Sequence, residues 1–507
     1  MRYGFVIDQN RCIGCHACTV ACKEEHNIAV GVNRTWVKYI EKGRYPDTRR
    51  HFAVLRCNHC DDAPCIEICP TVSLFRRADG IVDFDHERCI GCKSCMQACP
   101  YDALYIDPER NTAAKCNFDA SRVEMGYKPA CEVVCPTQAI LSGDLDDPNS
   151  LVSKRIALEK VSVRKPEKGT KPKLFYVGVD GDLLNPTMME PQTAYFWADK
   201  DPGEDLYALR MPTPDRPIPG AAREVYDVPH MVPWGKTIAS YLWTKSISAG
   251  VLLMAALFLN MGFEQDAVVL SFISPAISLL FLAATMSLLV LDLKKPGRFL
   301  FLLTKPNLNS WLVLGGYVLT IFAVLLIVWL IQIATIGAVS PLVIWATALF
   351  AVASAGYSAF LFAQARGRDF WQSPLLFWHL LIQAIVAGAA IITLIGTIFG
   401  LTLPLFAWLG HLLVISLFAS LAMILGELLM KHGAEDALRS GELLLSGALS
   451  KSFWICVVGL GTLLPIGLTF WQVSSVVPNV VASLLALFGL WMYEHLWIKA
   501  GQAVPLS

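Results

Sequence analysis

The chain has 507 residues, equal numbers of acidic and basic residues, and 54% hydrophobic residues. With a mean hydropathy of +0.48, it is too apolar for a soluble enzyme of this length, so part of it must lie in lipid. The apolar residues concentrate after Trp234, whereas the residues before it have the composition of a soluble domain. The sequence therefore predicts a soluble region and a membrane region in one chain.

The first region, 1–150, is defined by cysteines, since every cysteine except Cys456 lies between Cys12 and Cys135. The three complete runs are Cys12-x2-Cys15-x2-Cys18-x3-Cys22, Cys57-x2-Cys60-x4-Cys65-x3-Cys69 and Cys89-x2-Cys92-x2-Cys95-x3-Cys99. The first three thiolates of such a run can hold one cubane iron–sulfur cluster, while the fourth reaches a second cluster. Structural zinc also uses pairs of cysteines at this spacing, but it does not predict repetition of the whole run. The runs therefore indicate iron–sulfur clusters in pairs.

A fourth run lacks one thiolate, because Cys116 is followed by Asp119 before the run ends with Cys131 and Cys135. If Asp119 occupies a ligand position, its cluster has three thiolates plus either a carboxylate or an open corner, which would leave a 3Fe-4S centre. The alternative is that Asp119 turns to solvent and another residue or water completes the site. The sequence favours the altered cluster.

Together the four runs resemble the electron-transfer subunit of molybdopterin oxidoreductases, such as the dimethyl sulfoxide, polysulfide and formate enzymes, over residues 1–145. The resemblance implies a ferredoxin-like α+β domain with four clusters, three or four of them of the 4Fe-4S type. The implied ligand sets are Cys12, Cys15, Cys18 and Cys135; Cys22, Cys116, Cys131 and Asp119; Cys57, Cys60, Cys65 and Cys99; and Cys89, Cys92, Cys95 and Cys69. The clusters would act as relays for electrons and not as a catalytic site.

The remainder of the chain divides into a connector and a membrane domain. Residues 151–236 are rich in proline and charged residues and are predicted to form an extended connector. From residue 237 the apolar runs reach the length of about 20 residues that a helix needs to cross a bilayer. The predicted spans are 237–261, 267–292, 309–336, 339–365, 374–400, 403–430, 451–472 and 475–497. An all-α membrane domain of eight helices over 237–507 follows, with both ends on one side.

Basic residues in the short loops predict the orientation, since such residues are retained on the cytoplasmic face. The loops on the side of the cysteine region contain Lys294, Lys295, Arg298, Lys305, Arg366, Arg368, Lys431, Arg439, Lys451 and Lys499. Opposite loops such as 262–266 and 473–476 contain no lysine or arginine. We expect a multi-pass protein of the cell (inner) membrane with its iron–sulfur domain in the cytoplasm.

The segment Leu291–Phe299, with its continuation Lys305–Trp311, resembles the connection between the second and third helices of the NrfD-type (polysulfide-reductase-type) membrane subunit. With the eight spans, this resemblance covers most of residues 237–507. It implies electron exchange with menaquinone or ubiquinone. It also implies that two subunits that are usually separate are joined here in one chain.

Ionisable residues inside the spans are separate evidence for a quinone site, because they are costly in lipid and tend to mark cavities or proton routes. Tyr241 and Lys245 lie one turn apart on the first span, and His379 lies on the fifth. We expect these three to contact the quinone head group. Asp292 and Glu427 end the second and sixth spans and are expected to deliver protons.

Each of these residues also has a structural interpretation. Lys245 can extend its ammonium to the interface, and Asp292 can pair with a neighbouring basic residue. Glu494 and His495 close the eighth span, where a position among the lipid head groups accounts for both.

The sequence thus predicts the electron-transfer and quinone-reacting subunit of a molybdopterin-type oxidoreductase complex. It would relay electrons between the quinone pool and a large molybdopterin-containing catalytic subunit, because the chain has no nucleotide-binding glycine motif or recognisable molybdopterin-binding segment of its own. Two alternatives stay open: a redox-driven ion-translocating module of a respiratory complex, and a membrane anchor with a vestigial quinone site. The expected partners are the catalytic subunit, quinone and the lipid bilayer, and no nucleic acid.

Overall fold

The computed structural model describes residues 1–186, 222–430, 433–471 and 475–507, apart from the side chain of Arg44. All strands in these ranges precede Lys236, and the long apolar helices follow it. The predicted fold class, a small α+β cluster domain followed by an all-helical membrane domain, is confirmed.

Short strands form the frame of the cluster domain. They are β1 (Tyr3–Asp8), β2 (Thr35–Arg44), β3 (Asp47–Arg56), β4 (Leu74–Arg76), β5 (Val82–Phe84), β6 (Leu104–Ile106), β7 (Ala113–Lys115), β8 (Ile140–Asp144), β9 (Val161–Ser162), β10 (Leu174–Val177) and β11 (Arg223–Tyr226). In the described part of the chain they form sheets in the orders β8-β1-β10-β9, β11-β2-β3, β4-β5 and β6-β7. Strand β1 runs parallel to β10, with Phe5 opposite Leu174, and antiparallel to β8.

Short helices alternate with these strands. They are α1 (Ala17–His26), α2 (Pro64–Ile68), α3 (Ser94–Ala98), α4 (Ala120–Glu124), α5 (Ala130–Val133), α6 (Leu151–Leu158) and α7 (Gly181–Leu184). Helix α1 carries Cys18 and Cys22, and α2, α3 and α5 carry Cys65, Cys95 and Cys131, so each complete run enters a helix at its third thiol. The thiols belong to the apolar core, where Cys18 and Cys131 pack with Phe5, Trp36 and Phe118.

The prediction of an extended connector is wrong for much of the segment 151–236. Residues 151–186 contribute α6, β9, β10 and α7 to the cluster domain, and β11 pairs with β2. The charged composition conceals these elements because each is only a few residues long and lies at or near a sheet edge. The part of the predicted connector over 187–221 lies outside the described residues.

The membrane domain contains eight helices in the described ranges that are long and apolar enough to cross a bilayer. They are α8 (Lys236–Asn260), α9 (Val268–Leu291), α11 (Trp311–Ile336), α12 (Pro341–Gln364), α13 (Leu376–Phe399), α14 (Leu403–Leu429), α16 (Ser450–Trp471) and α17 (Val476–Ala503). Two shorter helices, α10 (Phe301–Thr304) and α15 (Glu435–Leu445), lie in the loops. The eight predicted spans are confirmed, and α17 continues beyond residue 497, the predicted end of the last span.

Helix α8 is the centre of this domain. It packs against α9, α12, α13 and α17, and 78% of its most apolar stretch is buried, compared with 22% for the peripheral α11. Its closest approach is to α13, where a Cβ on Gly250 would lie 1.8 Å from the carbonyl oxygen of Ala384, and a Cβ on Gly388 would lie 2.2 Å from the carbonyl oxygen of Gly250. Small residues let two helix backbones touch in a membrane, so these glycines set the distance between α8 and α13.

The cluster domain docks on the membrane domain through backbone hydrogen bonds. The amides of Lys294 and Lys295 donate to the carbonyls of Gly91 and Ile90, each at 3.2 Å, and the amide of Asn307 donates to Pro70 at 2.9 Å. Gly91 has φ +70°, and a Cβ there would lie 2.6 Å from Cβ of Lys294, so the contact requires glycine on both counts. The segment after α9 that carries the sequence resemblance is therefore the surface on which the inner cysteine runs rest.

Replacing Gly250 by leucine should disrupt the bundle, because α8 and α13 would have to separate. Overpacking of this kind costs about 1–3 kcal/mol or more, so the detergent-solubilised variant should give less monodisperse protein and unfold at a lower temperature. Gly467→Leu is the control, since a Cβ at Gly467 meets nothing within 4 Å. Equal behaviour of the two variants in size-exclusion chromatography and thermal unfolding would contradict the close approach.

Candidate functional site: four thiol groups and a membrane cavity

Thiols of the first and fourth cysteine runs lie together. Burial, and then the nearby Cys135 and Cys15, raise the pKa of the Cys12 thiol. Burial, and then the nearby Cys116 and Cys131, raise the pKa of the Cys22 thiol. The structure thus brings together two groups of cysteines, and each contains members of both runs.

The second and third runs meet in the same way. Burial raises the pKa of Cys60 to about 12, with further contributions from Cys57 and Cys99. Burial also raises the pKa of Cys92 to about 12, and the charges of Cys69 and Cys89 add to it. These neighbours are the ones that the family resemblance implies, although the ligand role of each cysteine stays a prediction.

Neighbouring groups follow one another in a row. The groups are numbered in the order of the ligand sets that the family resemblance implies: first Cys12, Cys15, Cys18 and Cys135; second Cys22, Cys116 and Cys131; third Cys57, Cys60, Cys65 and Cys99; fourth Cys69, Cys89, Cys92 and Cys95. Burial, and then the charge of Cys131 in the second group, raise the pKa of the Cys18 thiol in the first. Besides burial, the charge of Cys57 in the third group raises the pKa of Cys116 in the second. Likewise, besides burial, the charge of Cys65 in the third group raises the pKa of Cys95 in the fourth. Cys15, at the first group, is exposed, whereas Cys92, in the fourth, lines a cavity in the membrane domain. The row therefore connects the protein surface with the membrane domain.

The surroundings of the thiols fit iron–sulfur clusters. Within the described residues, no group of three or more His, Cys, Asp or Glu side chains could hold a single metal ion, as structural zinc would require. A cubane is larger and separates its thiolates more widely. Buried donors around the thiols, such as Nε and Nη2 of Arg56 and Nε2 of His59, have no partner among the described residues. Cluster sulfides accept such hydrogen bonds.

Arg56 is the main cation of the outer pair of groups. Its side chain is fully buried, Nη1 donates to Sγ of Cys131 at 3.0 Å, and the guanidinium lies 4.6 Å from the ring centre of Phe5. Burial opposes its charge, but Cys131, Cys116 and Cys18 together raise its pKa above the ordinary value. Arg56 therefore places a permanent positive charge between two predicted clusters.

Replacing Arg56 by methionine should lower the reduction potentials of the two outer clusters, because the positive charge that stabilises their reduced state is lost. A unit charge a few ångströms away at an effective dielectric constant of about 20 corresponds to a shift on the order of 100 mV. Arg50→Met is the control, since Arg50 lies on the same strand but is exposed and paired with Glu41. Potentials from electron paramagnetic resonance titrations that are the same in both variants would contradict this role.

Asp119 lies beside the second thiol group and is buried, so it does not turn to solvent. Its Oδ2 accepts a hydrogen bond from the amide of Ala130 at 2.8 Å, and Oδ1 is 3.3 Å from Nε2 of His26. The backbone of Asp119 is left-handed (φ +58°), as it is at His16 and Lys93, which follow the second cysteine of their runs. Asp119 thus has the sequence position of a second cysteine but the backbone conformation of the residue after one.

If Asp119 nevertheless completes the second group, Asp119→Cys should change the spectroscopic signature of one cluster only, by supplying a fourth thiolate. Low-temperature electron paramagnetic resonance of the reduced and oxidised protein measures this. Asp119→Asn is the companion variant, because it keeps an acceptor for Ala130 and removes the charge. Spectra that are the same in Asp119→Cys and the unmodified protein would reject the ligand role.

The cavity beside Cys92 is the second part of the site. It lies between α8, α9, α11 and α12. Its walls are apolar apart from a few groups, among them Tyr241, Asp292 and Tyr357. A mostly apolar cavity with a few placed polar groups is typical of a small-molecule site.

Two of the predicted quinone residues, Tyr241 and Asp292, line this cavity. Asp292 also pairs with Lys93, which lies in the same cysteine run as Cys92, at 2.8 Å. Burial raises the pKa of Asp292, and the hydrogen bond from Lys93 opposes that shift. One carboxylate thus contacts both the cavity and the loop of the fourth thiol group.

Lys245 does not line the cavity itself but lies behind the residues of its wall. Its Nζ donates to Oγ of Ser358 at 2.7 Å and to the carbonyl of Ala355 at 2.9 Å. Oγ of Ser358 is in turn 3.3 Å from the hydroxyl of Tyr241, and the ammonium lies 5.0 Å from the ring centre of Tyr357. Lys245 therefore reaches the cavity through Ser358 and Tyr241, and its side chain is fully buried and does not extend to the interface.

His379 and Glu427 do not line the cavity. Nδ1 of His379 is 3.9 Å from Oε2 of Glu427, and the ring of His379 packs against Tyr493 with centroids 5.1 Å apart. The predicted quinone residues are thus divided between the cavity and a second group deeper among α13, α14 and α17. Sequence reasoning gave their depth in the membrane but not the face of each helix on which they lie.

Sequence reasoning also missed Lys93, Tyr357 and Ser358. Lys93 is a charged residue between two cysteines, and nothing in the sequence indicates that it is buried. Tyr357 and Ser358 lie on α12 between small residues, Ala355, Gly356 and Ala359. Small residues mark close helix packing, and this is the signal that would have drawn attention to α12.

Taken together, the fold and the site define a multi-pass membrane protein with an iron–sulfur domain. Residues 225–505 match the family model "Polysulphide reductase, NrfD", residues 49–145 match "4Fe-4S dicluster domain", and residues 3–24 match "4Fe-4S binding domain". The first of these models spans more than half of the chain. The protein therefore belongs to the polysulphide reductase NrfD family.

Individual relatives resemble part of the chain. The B subunit of tetrathionate reductase from Salmonella typhimurium is 42% identical over 197 residues, which are 38% of this chain and 79% of that protein. Protein NrfC of Escherichia coli is 43% identical over 180 residues, 35% of this chain and 81% of its own length. The B component of polysulfide reductase from Wolinella succinogenes is 41% identical over 179 residues, 35% of this chain and 94% of its own length.

Proposed function

We propose that this protein is the electron-transfer and quinone-reacting membrane subunit of a molybdopterin-type oxidoreductase complex. Four iron–sulfur clusters relay electrons between the quinone pool and a separate catalytic subunit. When bound, the clusters supply one-electron steps. The chain itself holds them in a row, shields them from water and builds the quinone site. The observation that carries the proposal is the cavity shared by Cys92, Tyr241 and Asp292.

The chemistry of the cavity supports a quinone as its occupant. A quinone ring is flat and apolar, and its two carbonyl oxygens need hydrogen-bond partners and access to protons. The hydroxyl of Tyr241 and the carboxylate of Asp292 come from different helix ends and provide two such groups. Because Cys92 belongs to the same wall, an electron leaving the ring has a predicted cluster as its nearest acceptor.

The far end of the row supports docking of a catalytic partner. Cys15 is exposed, and the apolar side chains of Ile13, Val20 and Val133, which lie within the first and fourth cysteine runs, are 57%, 64% and 63% exposed. The latter two lie on α1 and α5, which pack against each other. An exposed cluster end within an apolar surface is suited to a protein partner that exchanges electrons. The relatives named as subunits of tetrathionate and polysulfide reductases agree with a multi-subunit complex.

For the orientation we propose the inner membrane with the cluster domain in the cytoplasm, on the basis of the loop charges. Some of those charges also have a structural role. Arg298 donates to the carbonyls of His86 and Cys89, and Arg368 donates to Val504 at 2.8 Å. The position of Arg298 and Arg368 on the cluster side is therefore explained by these contacts as well as by the membrane topology. The proposed orientation also rests on the other basic residues of the same loops.

Tyr241→Phe should slow quinol-dependent reduction of the clusters by about tenfold or more, because it removes the hydroxyl that links the cavity to Ser358 and Lys245. Lys245→Ala should act in the same direction while cluster content stays intact. Stopped-flow absorbance after mixing with a short-chain quinol measures the rate. Tyr317→Phe, on the peripheral α11, is the control. If all three variants react at the rate of the unmodified protein, the quinone site lies elsewhere.

A further inference from the structure

The two sides of the quinone cavity differ in how far they are exposed on the outside of the helix bundle. The wall residues on α8 and α12, among them Tyr241 and Tyr357, are buried. The apolar wall residues on the opposite side are all at least partly exposed. This outer wall consists of Leu289 and Val290 on α9, Leu293 and Phe299 after it, Leu302 on α10, and Leu312 and Gly316 on α11. Both sides face the same cavity, so the extra exposure arises on the outer surface, where lipid surrounds the helices.

Polar groups and the outer wall occupy different parts of the cavity. Asp292 directly follows α9, and Cys92 belongs to the cluster domain, so both lie at the end of the cavity that faces the clusters. The outer wall, in contrast, carries apolar side chains and one glycine. A quinone whose head group binds at the polar end therefore has an apolar surface available for its tail.

Gly316 leaves open space in the outer wall. A Cβ added to Gly316 meets nothing within 4 Å, whereas a Cβ on the preceding Gly315 would lie 2.2 Å from Cε2 of Tyr357. Close packing of α11 on α12 thus explains Gly315, but it does not explain Gly316. Because glycine inside a helix is less stable than alanine, the open space at Gly316 indicates a passage and not a packing contact.

The helices on either side of this space are joined mainly at their other end. Nε1 of Trp329 on α11 donates to the carbonyl of Ser271 on α9 at 2.9 Å, far from the clusters, and α9 packs less extensively on α11 than on α8. At the cluster end, Leu300 and Leu303 at α10 are 50% and 54% exposed. Exposed leucines at the end of a membrane span are suited to lipid. An apolar chain that passes between α9 and α11 therefore reaches lipid.

We propose that the isoprenoid tail of the quinone leaves the cavity between α9 and α11, beside α10, and that Gly316 keeps this passage open. The inference rests on the proposed function. It deepens that function by assigning a binding site to the part of the ligand that takes no part in electron transfer. The ligand class that fits is a quinone with a flexible polyisoprenoid chain.

Continuity with the polar end of the cavity favours a quinone tail over the acyl chain of a phospholipid. Gly316 and Asp292 line the same cavity, so a chain that passes Gly316 brings whatever it carries toward Tyr241 and Asp292. A quinone head group has two carbonyl oxygens that can pair with those side chains. An acyl chain ends in a methyl group, which would leave both polar groups without a partner.

Stopped-flow reduction of the clusters tests the passage on the cluster-loaded full chain in lipid nanodiscs. Two quinols are compared, menadiol, which has no tail, and a menaquinol with a long isoprenoid tail. In Gly316→Leu the rate with the long-tailed quinol should fall at least about tenfold relative to the rate with menadiol, because the added side chain fills the passage. Gly316→Ala should show a smaller change in the same direction.

Gly467→Leu is the matched control. It adds the same side chain at another membrane glycine whose Cβ would meet nothing within 4 Å and which does not line the cavity. The ratio of the two rates should stay that of the unmodified protein. Gly316→Leu with an unchanged ratio would overturn the passage, and so would an equal loss with both quinols, which would place Gly316 at the head group.

Photolabelling of the unmodified protein tests the same claim without a variant, so it decides the matter even if Gly316→Leu fails to fold. A menaquinone with a diazirine in its tail should label the outer wall, and excess unlabelled menaquinone should prevent the labelling. Labelling that menaquinone does not displace would indicate a lipid groove and reject the proposal, as would labelling confined to α13–α17. If menadiol does not reduce the clusters of the unmodified protein, the proposed function has failed, which is a separate result.

Discussion

The arrangement depends on one contact, the seating of the loop around Cys92 on the segment that follows α9. Backbone hydrogen bonds join Gly91 and Ile90 to Lys294 and Lys295, and the ion pair between Lys93 and Asp292 lies beside them. This contact brings a cysteine of the innermost thiol group into the wall of a membrane cavity. Without it, the row of thiols would end in the soluble domain and the cavity would have no nearby electron acceptor.

Charge compensation is the second constraint on the structure. Four groups of thiolates in a small domain repel one another, and fully buried cations reduce this repulsion. Arg56 donates to Cys131, and Nζ of Lys115 donates to the carbonyl of Cys116 at 2.9 Å. Buried cations are costly unless anions surround them. Their presence is consistent with a domain whose core is made of negatively charged clusters.

The sequence predicted the features that depend on local pattern. The cysteine spacing indicated iron–sulfur clusters, and the lengths of the apolar runs identified the eight helices, because both signals are contained in consecutive residues, whereas the grouping of the thiols was implied by the family resemblance. Residues 151–186 were assigned wrongly, since strands as short as β9 and β10 leave little periodicity to recognise. His379 and Glu427 were placed with Tyr241 because depth can be read from a span, whereas the rotation of one apolar helix against its neighbours cannot. The site was therefore predictable in composition but only partly in geometry.

Electron transfer from quinol to the clusters is best tested by low-temperature electron paramagnetic resonance of the purified full chain, treated with a short-chain menaquinol alone and, separately, with dithionite. We expect the quinol by itself to produce the signal of at least one reduced 4Fe-4S cluster, because the innermost thiol group lies beside the quinone cavity. Clusters that dithionite reduces but the quinol leaves unchanged would contradict the proposed function and favour a membrane anchor without a working quinone site.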